Sequence, residues 1–249
     1  MKKILILVCM ALCAVAMWAQ VEHKVSRYPN GQLRYEGDFK DGKPVGELRR
    51  YHENGRLSGI QTFDAEGNST VVCYSGAGNL LAEGSYKGKL RDGLWKFYSE
   101  SEYLFMVETY QEGMRVGECL IYSNEGKVLQ RMTYKEGKLD GERIHYYPYG
   151  NVMAKYTYVN GVLDGPYSYF YETGQPNEEG GYKNGKPHGI WRSYDEGGRF
   201  EEVEYIEGLP ADPVSYNKAF QEKLDSYDVD PQIKDPEDFM DNPSAYFGM

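Results

Sequence analysis

The sequence predicts an all-β protein: tandem antiparallel β-hairpins forming one elongated single sheet, with a short C-terminal helix. Three observations carry this. First, an aromatic followed by glycines three and seven residues later recurs about every 24 residues. It reads Tyr182-Lys-Asn-Gly-Lys-Pro-His-Gly189, Tyr134-Lys-Glu-Gly-Lys-Leu-Asp-Gly141, Tyr158-Val-Asn-Gly-Val-Leu-Asp-Gly165, Tyr110-Gln-Glu-Gly-Met-Arg-Val-Gly117 and Phe39-Lys-Asp-Gly-Lys-Pro-Val-Gly46. Self-similarity at a fixed period is the mark of a repeat array rather than of one globular core. Second, Val152, Ala154, Tyr156 and Tyr158 alternate with Met153, Lys155 and Thr157, the two-residue period of a strand. Third, Asp41-Gly42, Glu112-Gly113, Glu136-Gly137, Asn160-Gly161 and Asn184-Gly185 fall where hairpin tips belong. Asn-Gly is the favoured pair for a two-residue turn with positive φ at both positions.

In chain order, residues 1–19 read as an export signal peptide. Met1-Lys2-Lys3 is the positive start, Ile4 to Val15 the apolar stretch, and Ala19-Gln20 the cleavage point, with Ala14-Val15-Ala16 as the alternative. That apolar run is short for a bilayer span. Residues 27–208 form the array. A second marker, an aromatic with Gly four residues later, sets its phase at Tyr51, Tyr74, Tyr122, Tyr146, Phe170 and Tyr194. Two degenerate copies, Tyr98 with Glu102 and Arg27 with Gly31, bring the count to eight units of 23 or 24 residues. In the second unit Thr70 replaces the second glycine and Phe63 to Tyr74 is one residue short, which predicts a bulge or bend there.

Two rows run through the units. One is apolar: Leu33, Leu57, Leu80, Leu104, Val128, Val152, Pro176 and Phe200. The other is aromatic: Phe39, Phe63, Tyr86, Tyr110, Tyr134, Tyr158 and Tyr182, ending at Ile206. Strand alternation expects both as ladders on the same face, with the aromatics packing on their neighbours. Residues 209–227 read as a short capping helix, with Asp212 as N-cap, Pro213 first, and Tyr216, Ala219, Phe220, Lys223, Leu224 and Tyr227 at helical spacing. Residues 228–249 carry six acidic side chains against Lys234 alone, with three prolines, and read as a disordered acidic tail.

A net charge of −10 argues against nucleic acid as a partner. Cys73 and Cys119, nearly two repeats apart, are expected ~20 Å from each other and therefore unpaired. His23, His52, His145 and His188 share no row, and no zinc spacing or Gly-x-Ser-x-Gly motif appears. No catalytic, cofactor-binding or metal-ligating residue is therefore assigned, and no enzyme is expected. The residues singled out as an interaction surface are Trp95 and Trp191, which share one slot four repeats apart, together with Tyr167.

The phrase Tyr-x-x-Gly-Lys-x-x-Gly with a following aromatic resembles the MORN repeat, in the variant found in many bacterial proteins. His188 matches the Lys-x-His-Gly of the commoner form. The resemblance covers residues 27–208. It implies a scaffold, a self-associating module or a phospholipid binder, and it includes the YwqK-like antitoxin-type family. The expected function is an exported, non-enzymatic protein-interaction scaffold or binding module, periplasmic, secreted or bound to the envelope. The alternatives are an antitoxin or immunity-like protein, and a binder of envelope glycan or lipid through exposed aromatics. A cytoplasmic immunity protein has no need of the export signal.

Overall fold

The computed structural model describes residues 20–226, with eighteen strands and one helix among them. The expected signal peptide and the expected disordered acidic tail lie outside the described residues. The chain divides into two units, meeting at Gly161 and Val162.

The first unit contains β1 (Glu22–Arg27), β2 (Leu33–Lys40), β3 (Lys43–Tyr51) and β4 (Leu57–Phe63). β5 (Ser69–Tyr74), β6 (Leu80–Lys87), β7 (Leu90–Tyr98) and β8 (Leu104–Gln111) follow. β9 (Met114–Tyr122), β10 (Val128–Lys135), β11 (Lys138–Tyr146) and β12 (Val152–Val159) complete it. Each strand pairs antiparallel with the next. β1 adds a strand ahead of the expected array start at residue 27. The second unit runs β13 (Val162–Phe170), β14 (Pro176–Lys183), β15 (Lys186–Pro187), β16 (Gly189–Tyr194), β17 (Phe200–Ile206), β18 (Leu209–Pro210) and α1 (Pro213–Ser226). Its strands are antiparallel in the same manner.

Two turns alternate. At hairpin tips, Asp41, Glu112, Glu136, Asn160, Asn184 and Glu207 hold φ between 50° and 53°, each followed by a glycine with positive φ. Between hairpins, a five-residue turn closes as in Tyr147–Asn151, where Tyr147 N–H donates to Asn151 O at 2.8 Å and Gly150 N–H to Tyr147 O at 2.8 Å.

The second glycine of each phrase marks a β-bulge. Between the pairs Val107↔Leu120 and Thr109↔Val116, the residues Gly117, Glu118 and Cys119 oppose Glu108 alone. Gly93, Leu94 and Trp95 oppose Gly84 in the same way. A bulge or bend is expected in the β4–β5 hairpin, and the strand pairing there shows no bulge. Its register runs unbroken from Gly59↔Cys73 to Phe63↔Ser69. Thr70 is β-branched and unsuited to the positive φ that the bulge glycine takes. The tip there closes as a turn of the inter-hairpin type, with Asp64 N–H on Asn68 O at 2.9 Å.

A second irregularity separates the two ladders. Cys73 pairs with Ala82 but Tyr74 with Leu80, so Leu81 has no opposite number; Phe97↔Met106 and Tyr98↔Leu104 repeat the pattern. This extra residue breaks the alternation, because antiparallel partners share a face. The apolar row therefore lies beside Tyr74, Tyr98 and Tyr122, on the face opposite the aromatic row, and the expectation of a shared face is corrected. β17 lacks the extra residue: Tyr194 pairs with Phe200 and Gly189 with Tyr205 in continuous register. Tyr205, not Ile206, thus ends the aromatic row, and Ile206 is 54 % exposed.

Helix α1 starts as its sequence predicts. Asp212 Oδ1 accepts the Ser215 N–H at 3.1 Å, and Tyr216 packs edge-on against Tyr205 with ring centroids 6.4 Å apart.

Candidate functional site

The face carrying the aromatic row is built on a size complement. Trp95 lies flat over Gly84, where a Cβ would come within 2.3 Å of the indole, and Trp191 lies over Gly180 with the same 2.3 Å approach. Each indole N–H donates to a backbone carbonyl at 3.1 Å, Ser85 O for Trp95 and Gly181 O for Trp191. Tyr86 meets Trp95, and Tyr182 meets Trp191, edge-on at 5.2 Å. Tyr167 stacks on Trp191 at 5.3 Å. Trp95 is 2 % and Trp191 9 % exposed. The expectation that Trp95 and Trp191 stand exposed is therefore corrected: bulges and glycines let the two indoles sink into the sheet's own hollow, while Tyr167 is half-buried beside Trp191.

Around Trp95 the remaining polar groups satisfy one another. The Arg91 guanidinium sits 4.4 Å from the Trp95 ring centroid and donates to the Tyr110 hydroxyl at 2.9 Å. Tyr110 donates to the buried Glu108 carboxylate, and Arg115 stands 3.9 Å from its other oxygen. Arg115 also donates to the Tyr134 hydroxyl at 3.1 Å and stacks over that ring at 4.7 Å. Cys119, 1 % exposed, borders this network, and burial pushes its thiol up to about 11. A thiol held protonated at neutral pH makes a poor nucleophile. Cys73 is free and half-buried.

The histidines stay apart in role. His23 Nδ1 lies 2.7 Å from Asp38 Oδ1, and His52 Nε2 reaches Tyr74 O at 2.9 Å. That second contact repeats the bond that the Tyr28 hydroxyl makes to Tyr51 O at 2.8 Å. His145 packs on Tyr156, and burial beside Arg143 lowers its pKa to about 4. Among the described residues no group of three or more His, Cys, Asp or Glu side chains could hold a metal ion.

Two hollows remain. On the opposite face of the first unit, a shallow groove of about 600 Å³ has Leu120, Val128 and Tyr146 as its apolar floor, with Glu118, Lys127 and Arg131 around it. In the second unit, a recess of about 230 Å³ lies between the last strands and α1, lined by Glu178, Trp191, Ser193, Glu201, Val203, Tyr205, Tyr216 and Ala219. One small side chain, Ser193, stands in its lining. Glu178 pairs with Ser193 and Ser193 with Glu201. In earlier hairpins the matching pairs are Ala82↔Phe97, Met106↔Ile121 and Gln130↔His145. Where those units place a large side chain, Ser193 leaves space.

The MORN repeat variant model matches residues 25–41, 44–65, 115–136, 139–160 and 163–184. No curated protein matches the chain. The structure carries the same hairpin through β6, β7 and β8, between the matched MORN segments, with the same bulge at Gly93. The recess, by contrast, is lined mostly by residues beyond the last matched segment. Reading the slot that holds Phe97, Ile121, His145 and finally Ser193 down the repeats is the signal that could have found it.

Proposed function

We propose that this chain is an exported, non-enzymatic MORN-repeat binding module that docks a protein partner on the face opposite Trp95. MORN repeats themselves point to a binding or scaffold module. The observation that carries the finer reading is the groove over Leu120, Val128 and Tyr146, rimmed by Lys127 and by the ion pair of Arg131 with Glu118. An apolar and aromatic floor inside a charged rim containing arginine is the composition of a protein interface. A single sheet layer leaves such a face without a second layer to cover it. The buried, protonated Cys119 thiol supports a non-enzymatic role. Glycan or lipid stacking on Trp95 and Trp191 loses its physical basis with their burial. Export rests on the signal-like residues 1–19.

The test uses the chain expressed with and without residues 1–19, and a Val128→Glu variant whose circular dichroism matches wild type. The full chain should reach the envelope or medium and be cross-linked there to a partner or to a second copy. Val128→Glu should lose that product. Retention in the cytoplasm whatever the leader, or equal cross-linking by the variant, overturns the reading. A toxin as the cross-linked partner would assign the immunity role.

A further inference from the structure

We propose that the recess under α1 binds the ammonium group of a lysine-like organic cation. It concerns residues other than those of the proposed docking groove, so either can fail without the other. Three features converge on this chemistry. Among the described residues the lining contains two carboxylates, Glu178 and Glu201, and no lysine, arginine or histidine. Three aromatic residues, Trp191, Tyr205 and Tyr216, line it beside the carboxylates and offer apolar surface to the stem of an alkylammonium arm. The volume of about 230 Å³ is below the roughly 300 Å³ at which pockets for whole small molecules begin, which suits a single alkylammonium arm.

The geometry gives each group a part. Glu178, Ser193 and Glu201 are successive cross-strand partners, so two carboxylates flank one small hydroxyl across three strands. An ammonium has three donors, which this row of acceptors can meet. The Tyr205 and Tyr216 rings meet edge-on at 6.4 Å, fixing the wall that α1 contributes. Burial holds the Glu178 carboxyl above its ordinary range, with a hydrogen bond from Tyr167 opposing the shift. A cation seated beside it would relieve that cost. Three other hairpins fill this position with Phe97, Ile121 and His145, whereas β5 has the small Cys73.

The test is a titration of the purified chain with N-α-acetyl-lysine methylamide, followed through the Trp191 indole N–H resonance. A saturable shift is expected, with none from the ε-acetylated analogue, which has the same arm without the charge. Glu178→Gln, isosteric and uncharged, should weaken binding about tenfold or more, as loss of a charge-assisted hydrogen bond does. Ser193→Phe, which restores the residue type of the Phe97 slot, should abolish it. Cadaverine and a lysine-bearing pentapeptide then separate the sources. Tighter binding of the peptide assigns a protein side chain, and tighter binding of the diamine a free cation. An equal response to the acetylated analogue, no response to the charged one, or unchanged affinity in Glu178→Gln overturns the proposal.

Discussion

At the scale of single residues, the glycines opposite the tryptophans are as specific as the tryptophans. Gly84 and Gly180 are conserved in geometry between two hairpins because an indole occupies the space of their missing side chains. Gly84→Ala and Gly180→Ala should each destabilise the chain by about 1–3 kcal/mol through overpacking. Gly76→Ala, whose new Cβ would meet only Asn54 Nδ2 at 3.8 Å, should be close to neutral. Chemical denaturation midpoints decide this, and equal losses at Gly76 and Gly84 would contradict the size complement. His145 supplies a pH dependence. Its pKa falls to about 4 in the folded chain, so the native state binds fewer protons than the unfolded one below about 6.5. Stability is therefore lost as pH falls from about 6.5 toward 4, by roughly 2–3 kcal/mol at pH 4.5. His145→Phe keeps a ring against Tyr156 and should remove that component, so wild type should lose roughly 2–3 kcal/mol relative to the variant between pH 7 and pH 4.5.

At the scale of the hairpin, tips and bulges divide the labour. The tip dipeptides reverse the chain, and Gly161 and Gly185 sit at φ +86° and +78°, each after an asparagine also at positive φ. Gly161→Val or Gly185→Val should cost at least about 1–2 kcal/mol, because a β-branched residue is forced into the left-handed region. A melting temperature equal to wild type would mean the tips tolerate other backbone geometries. These tips were legible in the sequence because Asn-Gly has a local meaning. The bulges were legible only as a recurring glycine, and their absence from β4–β5 was read with the opposite sign. What Thr70 does there depends on its partner Thr62 across the strand pair, a relation spacing alone does not contain.

At the scale of the molecule, neighbouring repeats are tied tip to strand. The N–H of Gly113 donates to Arg91 O at 2.9 Å, Gly137 to Arg115 O at 2.9 Å and Gly161 to Leu139 O at 2.7 Å in the first unit. Gly185 donates to Leu163 O at 2.7 Å in the second. Gly67, at the tip of β4–β5, instead donates within its own turn to Asp64 O at 3.3 Å. Repeat arrays open locally, since each repeat contacts only its neighbours. Native-state amide exchange should therefore be faster at Gly67 than at Gly113 and Gly137, and the reverse order would contradict the ladder. The sequence by itself determined the repeat, its period, the strands, the tips and the start of α1. All of these follow from alternation and turn chemistry within a few residues of the chain. Only the tertiary structure decided which face each row takes, that Trp95 and Trp191 are buried, and that a recess with Ser193 in its lining lies beneath α1. The physical reason is that one unpaired residue in a strand exchanges its faces, and burial depends on the side chain across the strand. Neither quantity is carried by the period of the repeat.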